Sequence, residues 1–129
     1  MKKLFWLILF VSVQANAFEI VSVDSVNLTV SYTEPTLNAD GSALTDLAIT
    51  RIYVDLIGDG IDPVVAKEIP ATSPNGGSAM SEKIPVSVGE GQEADIRVWA
   101  TAVDNSGNES TASNVAQIRV DRLAPAAPN

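Results

Sequence analysis

Hydrophobic and polar residues alternate along several segments of this chain. Residues 26–33 read VNLTVSYT, in which every second residue is apolar. Because successive side chains of a β-strand point to opposite faces, a period of two predicts a strand buried on one side. The same period recurs in residues 49–57, 80–88 and 94–103. In three of these strands the residues predicted to face inward are Val26, Leu28, Val30, Tyr32, Thr50, Ile52, Val54, Leu56, Ile96, Val98, Ala100 and Ala102.

Residues that favour turns separate these segments. Residues 18–23 and 113–120 add a first and a last strand, and residues 63–69 add a short edge strand. Pro85 favours an edge position for its strand, because proline cannot donate a hydrogen bond to a neighbouring strand. No segment has a sustained helical period. Six or seven strands at this spacing predict an all-β sandwich.

The first seventeen residues differ from the rest. Lys2 and Lys3 precede the apolar run LFWLILFV, and the segment ends in the small-residue pattern QANA at residues 14–17. This order is typical of a secretory signal peptide, so residues 1–17 are predicted to be removed by cleavage after Ala17. A membrane anchor is the main alternative, but it needs about 20 apolar residues. We therefore expect export to the periplasm or the medium, with no membrane attachment after cleavage.

Composition and charge narrow the possible partners. The chain has 129 residues, of which 46% are hydrophobic, and it contains no cysteine. One domain without disulfides must be stabilised by its hydrophobic core. Removal of residues 1–17 leaves six cationic residues against sixteen acidic ones, a net charge of −10. Nucleic acid binding depends on Lys and Arg neutralising phosphates, so we expect no nucleic acid partner. The charge favours a soluble monomer.

Three segments resemble a bacterial-type fibronectin type III domain. Residues 30–48 read VSYTEPTLNADGSALTDLA and are similar to the second strand and following loop of that family. Residues 51–53 (RIY) resemble its third strand, and residues 98–110 (VWATAVDNSGNES) resemble its sixth strand and the next loop. The resemblance covers most of residues 18–120. It implies an immunoglobulin-like sandwich of about seven strands, with the third, sixth and seventh strands in one sheet.

The chain departs from the family pattern at two positions. Tyr32 stands where the second strand usually has tryptophan, and Ile96 stands where the family often has a tyrosine. The missing tyrosine hydroxyl implies a looser corner at residues 89–93. Residues 121–129 are rich in proline and alanine and resemble a linker between modules, which proline holds extended. The chain is therefore either a module that stands alone or part of a longer parent.

The sequence offers little for catalysis. It contains no histidine and no cysteine, which removes the commonest general base and the thiol nucleophile. The acidic residues are scattered, so we expect no enzyme activity and no cofactor. Asp55, Asp59, Asp62 and residues 104–109 carry oxygen ligands that calcium accepts. Neither set has the spacing of a known calcium loop, and turn geometry explains both, so we expect no metal site.

One face of the predicted sheet is the first candidate for binding. Alternation places six residues outward on the third, sixth and seventh strands, namely Arg51, Tyr53, Arg97, Trp99, Gln117 and Arg119. Arg, Trp and Tyr are the residues that dominate binding hot spots. Arginine also stacks on aromatic rings, so the same residues are compatible with a layer that merely covers the sheet. Both interpretations stay open at the level of sequence.

Two loops are the second candidate. Residues 36–47 and 104–110 are expected to emerge at the same end of the sandwich, where this fold often carries recognition. The candidate loop residues are Asn38, Asp40, Asp104, Asn105 and Asn108. The sequence thus predicts a non-enzymatic exported module that binds a protein or a carbohydrate at the cell surface or in the periplasm. The alternative is a spacer or accessory module of a larger extracytoplasmic assembly or of a glycan-degrading enzyme.

Overall fold

Seven strands form two antiparallel sheets that pack into a β-sandwich. The computed structural model describes residues 17–24 and 26–129. The strands are β1 (Glu19–Val23), β2 (Asn27–Thr33), β3 (Leu47–Leu56), β4 (Val64–Pro70), β5 (Ala79–Pro85), β6 (Glu93–Asp104) and β7 (Ala116–Asp121). One sheet has the order β1-β2-β5, and the other has the order β4-β3-β6-β7. The predicted all-β class is confirmed, whereas the predicted signal peptide lies outside the described residues except for Ala17.

The alternating pattern of the sequence matches the burial of the strands. In β2, Leu28 and Val30 are completely buried and Tyr32 is nearly so, while the residues between them are partly exposed. Val26 lies just before β2 and is exposed, contrary to the prediction for it. The edge positions predicted for β4 and for the strand that ends at Pro85 are both confirmed.

The hydrophobic core lies between the two sheets. Leu28 and Ile84 of the three-stranded sheet belong to the same buried cluster as Ile52, Ile96 and Val98 of the four-stranded sheet. Burial of a Val, Leu or Ile side chain contributes about 1.5–3 kcal/mol. Because the chain contains no cysteine, this core and the sheet hydrogen bonds stabilise the domain without a covalent crosslink.

The end of β6 is buried on both faces, which the alternation does not predict. Val103, which the alternation assigns to the outer face, is only 5% exposed, and Ala102 is more exposed than Val103. The reason is a second layer on the outer side of this end of the sheet. Leu44 and Leu47, both buried, line the same pocket as Val103, and Val103 forms an isolated bridge with Glu109. Both faces of β6 are therefore covered here.

The chain that follows β6 runs back along the edge of that strand. β7 pairs with β6 only as far as Val98. Beyond that point the Ser113 hydroxyl accepts a hydrogen bond from the Ala100 amide, and the Ser110 hydroxyl accepts one from the Ala102 amide, each at 2.9 Å. The amides of the same two serines donate to the carbonyls of the same two alanines. Serine side chains thus complete the hydrogen bonding of the β6 edge.

The loop between β4 and β5 is fixed by polar contacts to Glu34, which follows β2. Buried Glu34 accepts hydrogen bonds from the amide and hydroxyl of Thr72 and from the amide of Ser78. In the loop that carries Thr72 and Ser78, Gly76 has a φ of +66°, and a Cβ atom there would clash with the Pro35 carbonyl oxygen.

At the corner formed by residues 89–93, Arg122 takes part in several hydrogen bonds. Its guanidinium donates to the Val88 carbonyl at 2.7 Å. Its backbone amide and carbonyl also pair with Gln92 and Gly91. The corner is thereby connected to the chain that follows β7.

Candidate functional site

The six predicted face residues do share the outer face of the four-stranded sheet. Tyr53 on β3 lies directly opposite Trp99 on β6. Arg97 lies between Asp55 on one side and Gln117 on the other. Arg51 and Arg119 occupy outward positions farther along β3 and β7, at opposite ends of the face. Antiparallel pairing therefore brings residues from three separate parts of the chain onto one surface.

Tyr53 and Trp99 form the centre of this face. Their ring centroids are 5.7 Å apart and their planes differ by 8°, which is a stacked arrangement. Aromatic pairs at this distance contribute about 0.5–1.5 kcal/mol beyond the area that they bury. The sequence had raised the possibility of arginine stacking on the rings. In the structure the two rings stack on each other, and the arginines contact carboxylates instead.

Glu109 is the residue of this face that the sequence did not reveal. Its carboxylate accepts hydrogen bonds from the Tyr53 hydroxyl, from the Thr101 hydroxyl at 2.6 Å and from the Arg51 guanidinium at 3.0 Å. The Thr101 hydrogen bond and then the Tyr53 hydrogen bond lower the pKa of Glu109, burial opposes them, and Arg51 adds a smaller lowering effect. The hydrogen bond to Glu109 in turn raises the pKa of Tyr53. Glu109 therefore holds the tyrosine side of the aromatic pair in place.

Two of the three arginines on this face are occupied by carboxylates. Arg51 also contacts Glu68 at 2.7 Å. Arg119 contacts Glu93 and Asp95, at 3.1 and 3.0 Å. Such exposed ion pairs contribute little to stability, but they use the hydrogen-bonding capacity of both partners.

Arg97 differs from the other two arginines. Its guanidinium lies 3.9 Å from the Asp55 carboxylate, which is too far for a hydrogen bond. Within residues 17–24 and 26–129, the side chains of Arg97, Asp55 and Gln117 form no hydrogen bond. These three polar side chains therefore retain donors and acceptors for a ligand.

A pocket of about 460 Å³ opens beside the aromatic pair, and we call it the Trp99 slot. Its lining residues are Asp55, Arg97, Trp99, Ala112, Val115 and Gln117. Tyr53 is not among them, so the tyrosine ring leaves the part of Trp99 that borders the slot uncovered. Val115 is 51% exposed. The slot thus combines an aromatic wall, two small apolar residues and three polar side chains.

The candidate loop residues mostly hold their own loops. The Asn38 amide group donates to the Ser42 hydroxyl and the Ala43 carbonyl, each at 3.1 Å. Asp40 accepts from the amide and the hydroxyl of Ser42, and these bonds lower its pKa.

The second loop is held in the same way and lies against the first. Asp104 accepts from the side chain and amide of Asn108 and from the Ser106 amide, which lowers the pKa of Asp104. The Asn105 amide donates to the Asp46 carbonyl. The two loops therefore meet at one end of the sandwich, and their carboxylates serve turn geometry.

Two further features bear on function. In residues 17–24 and 26–129, no group of three or more acidic side chains is arranged to hold a metal ion. The Asp59 carboxylate, one of the three aspartates considered for calcium, accepts the Ile61 amide within its own turn. The described residues also contain no helix with the length and hydropathy needed to cross a membrane.

The start of the described chain is anchored to the domain. Phe18 is 4% exposed and packs near the Tyr32 ring, with centroids 6.4 Å apart. The Asn114 side chain accepts a hydrogen bond from the Phe18 amide at 3.1 Å and donates one to its carbonyl at 2.8 Å. Burial raises the pKa of the Tyr32 phenol to about 12. Residue 18 is therefore an integral part of the core.

Comparison with known proteins gives no further guide to this site. No protein-family model matches the chain, and no curated protein matches it either.

Proposed function

We propose that this chain is an exported, non-enzymatic binding module that contacts a protein or a carbohydrate through the outer face of its four-stranded sheet. The observation that carries the proposal is the stacked pair of Tyr53 and Trp99 beside the Trp99 slot. A partly exposed aromatic pair on a rigid sheet offers contact area at a small entropy cost. Arg97 and Gln117 supply hydrogen bonds next to it.

The proposed fold family is the fibronectin type III family. Its support is the resemblance of residues 30–48, 51–53 and 98–110, together with the grouping of β3, β6 and β7 in one sheet. The family hosts many functions, so this assignment alone does not choose among them.

The proposed export rests on the charged, apolar and small-residue order of residues 1–17. The burial of Phe18 supports a mature domain that starts at that residue. N-terminal sequencing of the protein recovered from periplasm and medium tests this directly. We expect a first residue of Phe18. Recovery from the cytosol with Met1 or Lys2 as the first residue would contradict export.

The binding role is tested with the double variant Tyr53→Ser, Trp99→Ser. The matched control is Val21→Ser, because Val21 is 51% exposed and lies on the other sheet. Each protein is fluorescently labelled and titrated onto intact cells and onto cell-envelope fractions of the source organism. We expect the wild type and the control to bind, and the double variant to lose binding while its far-ultraviolet circular dichroism stays unchanged. Equal binding by all three proteins would refute a role for this face.

A second function, that of a spacer module, is favoured by the ion pairs of Arg51 and Arg119. Two of the three cations of the face are satisfied within the domain, as expected for a surface that faces only water. The spacer function predicts no binding in the titration above. It also predicts that crosslinking in living cells joins the chain to a larger exported protein.

A further inference from the structure

We infer that the Trp99 slot is a subsite for an uncharged saccharide and that it receives one or two sugar rings of a neutral glycan. This inference rests on the proposed binding function and specifies its ligand. The slot volume of about 460 Å³ falls within the range of about 300–1,000 Å³ that is usual for small-molecule sites.

The first argument is the fixed orientation of the indole. Tyr53 covers one face of Trp99 at an interplanar angle of 8°, and the Tyr53 hydroxyl is held by Glu109. The indole side that borders the slot remains available. A sugar ring has an apolar face of C–H groups that packs on an aromatic ring. An indole that is already immobilised loses little conformational freedom when a ring packs on it.

The second argument is the hydrogen-bonding inventory of the slot. The Asp55 carboxylate offers acceptors, the Arg97 guanidinium offers donors, and the Gln117 amide offers both. None of these three side chains forms a hydrogen bond within the described part of the chain. Sugar hydroxyls both donate and accept, so they match a rim of this mixed kind. The combination of an apolar wall and a mixed polar rim fits a polyol better than a purely apolar ligand.

The third argument is charge. Asp55 and Arg97 carry opposite charges 3.9 Å apart, so the rim is neutral overall. Without residues 1–17 the chain has a net charge of −10, which disfavours phosphorylated or uronic acid polymers. For a cationic ligand, the Arg97 guanidinium next to Asp55 would offset the attraction of the carboxylate. An uncharged ligand meets neither obstacle.

A protein ligand is a less suitable occupant of the slot itself. A stable protein–protein contact buries about 800 Å² on each partner, which requires a surface well beyond these six residues. The neighbouring ends of the face are occupied by the ion pairs of Arg51 and Arg119. A protein partner is therefore kept as one outcome of the test.

The test uses the protein purified after export, in which residues 1–17, and with them Trp6, are expected to be absent. Trp6 and Trp99 are the two tryptophans of the sequence, so Trp99 is then the sole indole and reports directly on the slot. The probes are hexasaccharides of glucose (β-1,4 and α-1,4), N-acetylglucosamine, mannose and xylose, with a polygalacturonate as the anionic control. Binding is followed by Trp99 fluorescence and by isothermal titration calorimetry.

We expect at least one neutral hexasaccharide to bind and to shift the Trp99 emission. Calorimetry with Trp99→Ala should show binding at least about tenfold weaker, and Gln117→Ala about threefold to tenfold weaker, as expected for the loss of one hydrogen bond. The matched control is Val21→Ser, which alters an exposed residue of the other sheet and should bind like the wild type. Unfolding midpoints of all variants establish that each is folded.

Three results would overturn the inference. In the first, no neutral hexasaccharide binds, yet the wild type still binds cell envelopes through Tyr53 and Trp99; the proposed function then stands with a protein ligand. In the second, only polygalacturonate binds, with an affinity that falls as salt rises. In the third, Val21→Ser weakens binding as much as Gln117→Ala, which would move the contact out of the slot. Absence of binding to both sugars and envelopes would refute the proposed function as well.

Discussion

Replacing Glu109 with alanine removes the acceptor that joins the loop after β6 to the aromatic face. Three donors lose their partner, but they differ in exposure. The Tyr53 hydroxyl and the Arg51 guanidinium are partly exposed and can bind water instead. Thr101 is only 8% exposed, so its hydroxyl is left largely without a partner. An unsatisfied buried donor costs about 1–3 kcal/mol. We therefore expect Glu109→Ala to lower the free energy of unfolding by about 2 kcal/mol at pH 7.

The pH dependence of this loss provides a second readout. The pKa of Glu109 is lowered in the folded state, chiefly by the Thr101 hydrogen bond. A carboxylate with a lowered folded-state pKa contributes stability above its unfolded pKa and loses it as pH falls through the folded value. The unfolded pKa of glutamate is about 4.3. The difference in the free energy of unfolding between the wild type and Glu109→Ala should therefore be fully present at pH 7 and shrink below about pH 4.

Urea unfolding at pH 7, 5 and 3, followed by circular dichroism, measures both effects. The matched control is Glu90→Ala, because Glu90 is an exposed glutamate in the turn before β6. We expect the control to stay within about 0.5 kcal/mol of the wild type, as surface substitutions usually do. A Glu109→Ala loss that equals the control at pH 7, or that stays constant down to pH 3, would refute the reasoning.

Three other predictions follow from single contacts. Asn114→Ala removes both hydrogen bonds to the Phe18 backbone and should lower the free energy of unfolding by about 1–2 kcal/mol in thermal denaturation; no change would contradict the anchoring of residue 18. Gly76→Ala should destabilise far more than Gly60→Ala, because both have positive φ but only the first Cβ would meet the backbone. Equal losses of stability would show that the positive φ alone, and not the clash with the Pro35 backbone, causes the destabilisation. In a Tyr53→Phe background, where Tyr32 is the sole tyrosine, Tyr32 should ionise near pH 12 in ultraviolet titration, and stability should fall as pH rises from about 10 to about 12; ionisation near pH 10 would contradict its burial.

The strands and the aromatic pair could be predicted because they depend on local pattern. A period of two places Tyr53 and Trp99 on outer faces, and the order of strands predicted by the resemblance brings them together. The buried residues at the centres of the core strands, such as Leu28, Ile52 and Val98, follow from the same period. Local pattern also identified Pro85 as a residue of an edge strand, which the structure confirms.

The role of Glu109 and the burial of Val103 could not be predicted in this way. Glu109 contacts Tyr53, which is 56 positions earlier in the sequence, only because residues 104–110 reverse direction after β6. In the sequence it is one acidic residue in a polar turn. Val103 belongs to a regular alternation, and only the layer formed by Leu44 and Leu47 covers it. Burial of this kind depends on the path of a loop, and the alternation within a strand does not determine that path.

The hydroxyls of Ser110 and Ser113 have a consequence for how binding specificity can change. They attach the loop after β6 to the strand edge by side-chain contacts at two points. Ala112 lies between these two points and Val115 lies beyond them, and both residues line the Trp99 slot. Because the two serines fix the path of the loop, residues 112 and 115 can be substituted without disturbing the sheet. If the slot binds a ligand as we propose, its wall at residues 112 and 115 can therefore be varied independently of the sheet that carries Trp99.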